Sequence, residues 1–404
     1  MRSSLCQSLS TSLLLTAALT AALPSAAATN WQTCLAKLER DARQAGVRAD
    51  TWREHLEGVS AQPQLLEKLK HQPEFKLRTW DYLAGLVDDE RVRDGLEAMQ
   101  REAGALATAK ARYGVDAFTT AAVWGVESNY GRNTGSYPIV ESLTTLSCMG
   151  RRQGFFRKEL MAALRILQAG HFAPEQFKGS WAGAFGQTQF MPSTFERLAV
   201  DLNGDGRRNL ISDNADALGS TAHFLKRAGW QADLPWGFEV IVPASYQGER
   251  GRKAKKPLRE WAKAGVKRAD GQALISEQIL GATPAGLLEP EPGGPVFLVF
   301  RNFDALYSYN ASESYGLAIA HLSDRLRGGG SFIRPWPTQD GGLSRAEKRT
   351  IQELLIARGH DIGDIDGALG KRSVAAIKVE QARLGHEVNG RAGQLLLRAL
   401  KADQ

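Results

Sequence analysis

Residues 121–131 read Ala-Ala-Val-Trp-Gly-Val-Glu-Ser-Asn-Tyr-Gly. The spacing predicts a helix, with Asp116 as its N-cap residue and Gly131 just beyond its C-terminal end. The run contains a single carboxyl, that of Glu127. This stretch predicts a helical fold organised around one partly buried acid.

Glu127 is expected to have an apolar environment. Val123 and Trp124 precede it by four and three residues and Tyr130 follows it by three, so a continuous helix would place all four on one face. Partial desolvation favours the neutral carboxyl, which predicts a raised pKa for Glu127. Such an acid can give a proton to a leaving oxygen and later take one back. The alternative is an ordinary surface glutamate beside apolar neighbours.

The composition is that of a globular protein. Of the 404 residues, 43% are hydrophobic and 24% charged, which is typical of soluble chains with two or three domains. The formal net charge of +7 suits a polyanionic partner such as cell wall, a lipid surface or nucleic acid. We expect no nucleic-acid partner, because the basic stretch 250–268 contains one aromatic residue, Trp261.

The N-terminus has the features of a secretory signal peptide. Arg2 precedes an apolar run over residues 13–23, and small residues follow from Pro24 to Ala28. We expect residues 1–28 to be removed near Ala28, leaving a soluble, exported protein of the periplasm. No later stretch reaches the ~20 apolar residues that a membrane-spanning helix needs.

Two cysteines would remain after that cleavage, Cys34 and Cys148. In an oxidising compartment they can form a disulfide, and the alternative is a pair of buried free thiols. Neither has a Cys or His at the spacing of zinc ligands, so we expect no metal–thiolate site.

Helical periodicity runs through residues 31–112, whereas 238–242 and 296–300 are β-prone. Between those two runs, the basic stretch 250–268 is predicted to be a solvated loop with a short helix. We therefore predict a mainly α fold of the α+β class over residues 29–327, with a small β-containing insertion.

A second, smaller unit is predicted at the C-terminus. The Gly- and Pro-rich segment 328–342 is typical of a linker, and residues 343–404 have the pattern of a three-helix module. Ser344 and Glu347 form a capping box at the start of its first helix. A unit of about 60 residues is near the size limit for independent folding.

Residues 178–193 read Lys-Gly-Ser-Trp-Ala-Gly-Ala-Phe-Gly-Gln-Thr-Gln-Phe-Met-Pro-Ser. Glycines allow a backbone to approach a ligand closely, and amides beside aromatic rings suit sugar recognition. The segment therefore indicates a carbohydrate site, with a tight glycine-rich turn between helices as the alternative.

The loop 201–207, Asp-Leu-Asn-Gly-Asp-Gly-Arg, matches the first half of an EF-hand calcium loop. Position 12 is Ser212 instead of glutamate, so a later acid, Asp213 or Asp216, would have to complete the ligand shell. The loop predicts a structural Ca²⁺ site, and the alternative is an Asp- and Gly-rich turn without metal.

Taken in order, residues 125–131, residues 178–193 and the loop at Asp201 resemble the lytic murein transglycosylase B family of Gram-negative bacteria. The similarity covers most of residues 30–327. It implies a lysozyme-like helical catalytic core that cleaves the β-1,4 bond between MurNAc and GlcNAc without water. The product would carry a 1,6-anhydro-muramyl end.

The tail resembles the peptidoglycan-binding three-helix module often fused to such enzymes, with the best match at residues 366–370, Asp-Gly-Ala-Leu-Gly. Where that module usually has an aromatic residue before Gln, this chain has Glu380 before Gln381. The resemblance implies peptidoglycan strands and their stem peptides as partners. Other cell-wall enzymes are further candidate partners.

The same resemblance implies roles for individual residues. Glu127 corresponds to the single catalytic acid and base, and no cofactor is expected for catalysis. The positions that line the glycan cleft correspond to Ser180, Gln189, Phe190, Tyr309, Asn310 and Tyr315. The stem peptide's acidic groups would meet Arg151 and Arg152. The metal loop corresponds to Asp201, Asn203, Asp205, the Arg207 carbonyl and Asp216.

A single carboxylate is consistent with that chemistry. Ordinary glycosidases use two, but Glu141 and Glu159 lie in amphipathic patterns that indicate surface positions. The substrate's N-acetyl group would stabilise the oxocarbenium centre, and its C6 hydroxyl would replace water as the nucleophile. Glu127 would act first as the acid and then as the base.

In this hypothesis Ser180 and Asn310 hold the acetamido group, and Phe190 stacks on a sugar face. Two alternatives remain open. One is a hydrolytic, lysozyme-type muramidase on the same scaffold, and the other is a cell-wall-binding protein without catalytic activity.

Overall fold

The computed structural model describes residues 26–69 and 77–403, with side chains from residue 30 onward. Most of the predicted signal peptide, residues 1–28, lies outside the described residues. Within the described ranges, no helix combines the length and the apolarity needed to cross a membrane.

Nine helices of the described chain form the first part of the large unit. They are α1 (Ala26–Gln44), α2 (Ala49–Leu56), α3 (Leu65–Lys68), α4 (Thr79–Leu86), α5 (Asp89–Arg101), α6 (Ala103–Tyr113), α7 (Ala117–Ser128), α8 (Ile139–Met149) and α9 (Gln153–Ala169). Strand β1 (Tyr137–Pro138) lies between α7 and α8. It pairs antiparallel with β2 (Lys178–Gly179), which lies after α9.

Helix α7 is the helix predicted from residues 121–131. The Asp116 side chain accepts a hydrogen bond from the Thr119 amide at 2.9 Å, which confirms the predicted N-cap. The helix ends at Ser128, before the predicted end, because Asn129 and Tyr130 adopt φ values of 51° and 60°. Two consecutive left-handed residues cannot continue a right-handed helix. Glu127 therefore lies in the last turn of α7.

The helical core continues with α10 (Pro192–Leu198), α11 (Asn214–Arg227), α13 (Arg301–Asn310) and α14 (Glu313–Leu326). One apolar cluster surrounds α7, α11 and α14, and a second joins α1, α8, α9 and α10. Tyr309 and Phe224 pack against both clusters. The boundary between these two halves of the core therefore passes through Tyr309.

The insertion between α11 and α13 is a five-stranded antiparallel sheet with the order β4-β6-β7-β3-β5. The strands are β3 (Gly237–Ile241), β4 (Gly251–Pro257), β5 (Lys267–Arg268), β6 (Pro284–Leu288) and β7 (Val296–Val299). Strands β3 and β7 confirm the two β-prone runs.

The basic stretch 250–268 differs from its prediction. It contains the short helix α12 (Leu258–Lys263), as expected, but the predicted solvated loop is the edge strand β4. Leu258 and Trp261 are buried in the core of the insertion, and the Trp261 indole donates to the Ala285 carbonyl at 2.9 Å. Apolar anchors fix one side of this segment, while its lysines suit an exposed sheet edge.

A disulfide joins Cys34 in α1 to Cys148 in α8. Of the two alternatives open from the sequence, the structure therefore has the disulfide. It closes a loop with a sequence separation of 114 residues, and loops of that length lose much chain entropy on cross-linking.

The C-terminal module has three helices, as predicted: α15 (Arg345–Ala357), α16 (Lys371–Arg383) and α17 (Gln394–Ala402). The capping box is confirmed, since the Ser344 hydroxyl accepts from the Glu347 amide at 3.2 Å and the Ser344 amide donates to the Glu347 carboxylate at 2.8 Å. Ile351, Leu355 and Leu400 contribute to its small core.

The segment 328–342, expected to be a linker, packs against the large unit. The Phe332 ring stacks on His321 with centroids 4.0 Å apart, and it meets Phe297 edge-on at 4.9 Å. The Trp336 ring lies 6.3 Å from that of Trp80. Aromatic residues spaced along the segment thus hold it on the surface of the helical core.

Candidate active site

Glu127 accepts a hydrogen bond from a residue of a distant helix. The Tyr315 hydroxyl, near the start of α14, donates a hydrogen bond to Glu127 Oε1. Ser312 caps α14 and fixes the position of Tyr315, whose ring lies roughly parallel to that of Tyr309 at 6.2 Å. Glu127 itself is half-buried. The acid therefore faces two phenol rings, of which Tyr315 is buried and Tyr309 is partly buried.

Both phenols keep their protons. Burial, and then the charge of Glu127, raise the pKa of Tyr315 and of Tyr309 well above the usual value. The Tyr309 hydroxyl donates to the Thr188 carbonyl at 2.8 Å. Tyr315 is consequently a neutral donor toward the carboxyl at neutral pH.

Tyr130 does not share the face of Glu127, which corrects the prediction from the sequence. Because α7 ends early, the Tyr130 ring folds back and meets Trp124 edge-on at 5.6 Å. Its hydroxyl donates to the Arg91 carbonyl at 3.0 Å. The phenol next to Glu127 comes from Tyr315 instead.

The Tyr130 ring occupies a slot between α5 and α7. A Cβ atom added at Gly125 would lie 2.7 Å from the Tyr130 ring, and one at Gly95 would clash with the Tyr130 hydroxyl. Both positions therefore require glycine if the ring is to stay where it is. The slot fixes the turn that follows Glu127.

Gln187 connects the glycine-rich segment to α7, and the sequence reasoning missed it. The Trp124 indole donates to Gln187 Oε1 at 2.7 Å, and the Ser128 hydroxyl donates to the Gln187 carbonyl at 2.7 Å. Its own amide donates to Asn214 Oδ1 at 2.7 Å. The signal was available as a second glutamine two residues before Gln189.

Ser180 and Gln189 shape the loop that carries them. The Ser180 hydroxyl accepts a hydrogen bond from the Ala184 amide at 3.1 Å. Gln189 has a φ of 50°, and its side-chain amide donates to the carbonyls of Thr134 and Gly186, each at 2.9 Å. The segment is thus a tight turn held by its own polar groups, and its contact with sugar stays a prediction.

Phe190 lies in the core of the described chain, and its stacking on a sugar stays a prediction. Its side chain is 2% exposed, and its ring packs against Phe224 and Tyr309 at 5.8 and 5.9 Å. Both neighbours belong to the core boundary, so protein already covers the ring. Phe190 supports the position of Tyr309.

The remaining predicted binding residues are at the surface. Asn310 is exposed at the C-terminal end of α13. Arg151 and Arg152 are exposed in the turn between α8 and α9, and the Arg152 guanidinium lies 4.6 Å above the Phe155 ring. Their positions are compatible with contacts to substrate, and those contacts stay predictions.

Glu159 is buried, contrary to the prediction of a surface position. Its carboxylate accepts hydrogen bonds from the Ser193 amide at 2.8 Å and the Ser193 hydroxyl at 2.7 Å. It thereby satisfies the N-terminus of α10, where a negative charge is favourable. Glu141 is half-buried and accepts from the Gln62 side chain. Each of these acids has a structural partner.

The predicted calcium loop is organised by its own carboxylates. Asp201 accepts from the amides of Gly204 at 2.6 Å and Gly206 at 2.8 Å. Asp216 is buried and accepts from the amides of Leu202 at 2.8 Å and Asn209 at 2.7 Å. Burial, together with Asp213 and Asp201, raises the pKa of Asp216.

The donors of this loop fit a hard cation in kind, since all are oxygens and several are anionic. The described residues contain no group of three or more His, Cys, Asp or Glu side chains placed to hold a metal. Asn203 donates to Asp213 Oδ2 at 2.6 Å, so Asp213 belongs to the same cluster. The predicted ligands Asp201, Asn203, Asp205 and Arg207 share one loop, and Asp216 lies in the first turn of α11.

Residues 30–324 match the family described as Transglycosylase SLT domain, and residues 344–400 match the Putative peptidoglycan binding domain. The chain belongs to the transglycosylase SLT family. This match confirms the resemblance found in the motifs and places the chain in a family of peptidoglycan lytic transglycosylases. The C-terminal helical module is confirmed as peptidoglycan-binding in type.

Named relatives agree with that assignment. The membrane-bound lytic murein transglycosylase B of Escherichia coli K12 is 34% identical over 252 residues, which are 61% of this chain and 66% of the relative. The chain thus spans slightly less than two thirds of that relative's length.

Two solved structures have a similar fold. SltB3 from Pseudomonas aeruginosa, in complex with NAG-anhNAM-pentapeptide, is 40% identical with a TM-score of 0.74, covering 92% of this chain and 99% of SltB3. Slt35 from Escherichia coli, in complex with calcium, is 28% identical with a TM-score of 0.63, covering 74% of this chain and 92% of Slt35. The mainly helical fold class is confirmed by both.

Proposed function

We propose that this chain is a lytic murein transglycosylase that cleaves the MurNAc–GlcNAc β-1,4 bond and leaves a 1,6-anhydro-MurNAc end. The observation that carries the proposal is the half-buried Glu127 carboxyl, which meets the neutral Tyr315 hydroxyl at the boundary of the helical core. This donor is neutral, so its hydrogen bond orients the carboxyl without adding a charge beside it. Glu127 is therefore suited to both giving and accepting a proton.

In the first step, the Glu127 carboxyl donates its proton to the glycosidic oxygen while the bond from that oxygen to C1 of MurNAc breaks. The positive charge that develops at C1 is stabilised by the substrate's own N-acetyl oxygen. In the second step, the C6 hydroxyl of the same sugar bonds to C1 and its proton passes to the Glu127 carboxylate. The acid is thereby regenerated and no water is consumed.

The other acids considered from the sequence support a mechanism with one carboxylate. Glu159 is committed to the N-terminus of α10, and Glu141 accepts a hydrogen bond from Gln62. The complex of the similar SltB3 with NAG-anhNAM-pentapeptide gives further support. We assign the glycan cleft to the half of the molecule that carries Ser180, Gln189, Tyr309, Asn310 and Tyr315, with Arg151 and Arg152 available to the acidic stem peptide.

The decisive test is product analysis of purified peptidoglycan by mass spectrometry. The wild-type protein should release anhydro ends, and Glu127→Gln should release them about a thousandfold more slowly. A product heavier by one water from the wild type would identify a hydrolytic muramidase instead. Binding without any product would identify a wall-binding protein that lacks activity.

We further propose that the Asp201 loop binds a structural Ca²⁺ and that the mature protein acts in the periplasm after its signal peptide is removed. The calcium complex of the similar Slt35 and the oxygen-rich loop support the first part. At a calcium concentration of 100 times Kd, binding should stabilise the fold by about 2.7 kcal/mol. Thermal unfolding with calcium and with a chelator measures this. Calcium should raise the midpoint of the wild type and not that of Asp201→Ala, and a wild-type midpoint that is equal in the two solutions would refute the proposal.

A further inference from the structure

The C-terminal module contacts the large unit through a charged interface next to α7. The Arg345 guanidinium, at the start of α15, lies 3.0 and 3.1 Å from the two carboxylate oxygens of Asp88. The Arg345 amide donates to the same carboxylate at 3.0 Å. The side chains of Arg345 and Asp88 are 16% and 5% exposed, so this ion pair is largely shielded from water.

The same guanidinium also reaches the turn after Glu127. Its Nη1 donates to Asn129 Oδ1 at 3.0 Å. Asn129 is the first residue beyond α7, two positions after Glu127, and has a φ of 51°. A non-glycine residue in this left-handed region persists only where its surroundings hold it.

Asp88 is also connected to α7, through Arg91. It caps α5 by accepting from the Arg91 amide at 2.7 Å, and the Arg91 side chain donates to the Gly125 carbonyl of α7. Arg345 therefore bonds at once to the cap of α5 and to the end of α7. In both hydrogen bonds the donor is the charged Arg345 guanidinium, and such charge-assisted bonds restrict the geometry of their partners.

We propose that Arg345 is a positioning residue for Glu127, so that the C-terminal module completes the geometry of the active site in addition to any contact with the wall. The proposal rests on the proposed function, in which Glu127 is the acid and base. Arg345 acts through Asn129, which sets the turn, and the turn sets the direction of the last helical residues, including Glu127.

Arg349 provides a matched control in the same interface. It lies one helical turn further along α15 and pairs with Glu90 at 2.6 Å. Its partner is on α5, away from the turn at Asn129. Loss of this pair removes one interface charge without removing the bond to the end of α7.

The experiment uses the full chain and a soluble, uncross-linked glycan fragment, so that wall binding by the module does not limit the rate. We expect Arg345→Ala to lower kcat at least tenfold while KM changes less than twofold. Arg349→Ala should keep kcat within twofold of the wild type. Asn129→Gly keeps the left-handed backbone and deletes the amide, and it should lower kcat by a similar factor.

The double variant separates positioning from a general loss of structure. If Arg345 acts through Asn129, then Arg345→Ala combined with Asn129→Gly should be no worse than either single variant. Multiplied losses would overturn the proposal, as would an Arg345→Ala variant with the wild-type kcat. If Arg345→Ala lowers the thermal midpoint and its loss of kcat disappears when the assay is cooled, the role of Arg345 is structural alone.

Hydrogen exchange supplies a readout that needs no turnover. Arg345→Ala should speed exchange in residues 125–133 at least tenfold, and Arg349→Ala should not; unchanged exchange would contradict the proposal. If the wild type makes hydrolysed ends instead of anhydro ends, the proposed function fails, while the kcat ratios still test Arg345.

Discussion

Glu127 and Glu380 are both carboxyls inside a helical unit, but they accept hydrogen bonds from groups of different charge. Glu127 accepts a hydrogen bond from the neutral hydroxyl of Tyr315. Glu380, in the C-terminal module, lies 2.8 Å from His360 Nε2 and 2.8 Å from the Arg383 guanidinium. Its side chain is 4% exposed.

The partners decide what each carboxyl can do. Burial alone would raise the pKa of Glu380, but hydrogen bonds from His360 and Arg383 outweigh it and lower that pKa below the usual value. Glu380 therefore stays ionised and holds α16 to its surroundings. The Tyr315 hydroxyl beside Glu127 is neutral and adds no positive charge next to the carboxyl. The half-buried Glu127, with its neutral donor, is therefore the better candidate of the two for proton transfer.

The largest effect is expected from Glu127→Gln. It should lower turnover about a thousandfold, because general acid–base catalysis contributes roughly 10²–10⁴ in rate. Glycan binding and the thermal midpoint should remain close to those of the wild type. Glu97→Gln, at an exposed position on α5, is the control for a lost carboxylate. Turnover within tenfold of the wild type would exclude Glu127 as the acid.

Glu380→Gln tests the other side of the comparison. Loss of the buried carboxylate leaves cations without their partner, which should destabilise the module by about 2 to 3 kcal/mol. Cleavage of soluble fragments at low temperature should be unchanged. Urea unfolding monitored by circular dichroism measures the loss, with the exposed Glu353→Gln as the control. Equal unfolding midpoints for the two variants would remove the structural role of Glu380.

Tyr315→Phe is expected to lower kcat about tenfold. The substitution deletes the neutral donor and keeps the ring, so the carboxyl loses its orienting hydrogen bond, and a loss of that kind typically costs about 1 to 1.5 kcal/mol. Tyr246→Phe removes a hydroxyl that donates to the Glu249 carbonyl in the insertion, and it should leave kcat unchanged. Equal rates for both variants would show that Tyr315 does not assist Glu127.

His321 extends the comparison to a buried base. Burial and Arg325 lower its pKa to about 4, from 6.5. Between these two values the unfolded chain binds more protons than the folded one, so stability rises with pH and is lost as the pH falls from 6.5 toward 4. Between pH 7 and pH 5 the wild type should lose about 1 to 2 kcal/mol more than His321→Phe.

Urea unfolding of both proteins at the two pH values measures this difference. The phenylalanine keeps a ring against Phe332, which stacks on His321 at 4.0 Å in the wild type. The comparison between the proteins cancels the contributions of other titrating groups. Parallel losses of stability in the two proteins would show that His321 does not carry the effect.

Sequence reasoning succeeded where a structure depends on neighbouring residues. The Asp116 cap involves a partner three positions away, and so does the capping box of Ser344 and Glu347. The two β-prone runs and the three C-terminal helices also follow from local patterns. Physical rules for spacing and capping act over one or two turns, and they need no knowledge of the tertiary fold.

It failed where distant segments meet. Helical spacing placed Tyr130 beside Glu127, but the phenol in that place is Tyr315, 188 positions away. Glu159 lies in a surface-like pattern, and only the packing of α10 buries it. No local signal shows that Phe332 would lie on the core. The assignment of Tyr315 to the cleft came from the family resemblance, since spacing gave no reason for it.

The slot around Tyr130 has a consequence for how this protein tolerates change. Gly95 and Gly125 leave room for the Tyr130 ring only because each lacks a side chain. The orientation of Glu127 therefore depends on the absence of a Cβ atom at both positions. One added methyl group at either position would displace the Tyr130 ring and the turn, although every residue that contacts Glu127 would be unchanged. Replacing either glycine with alanine to stabilise α5 or α7 would therefore lower the activity of the enzyme.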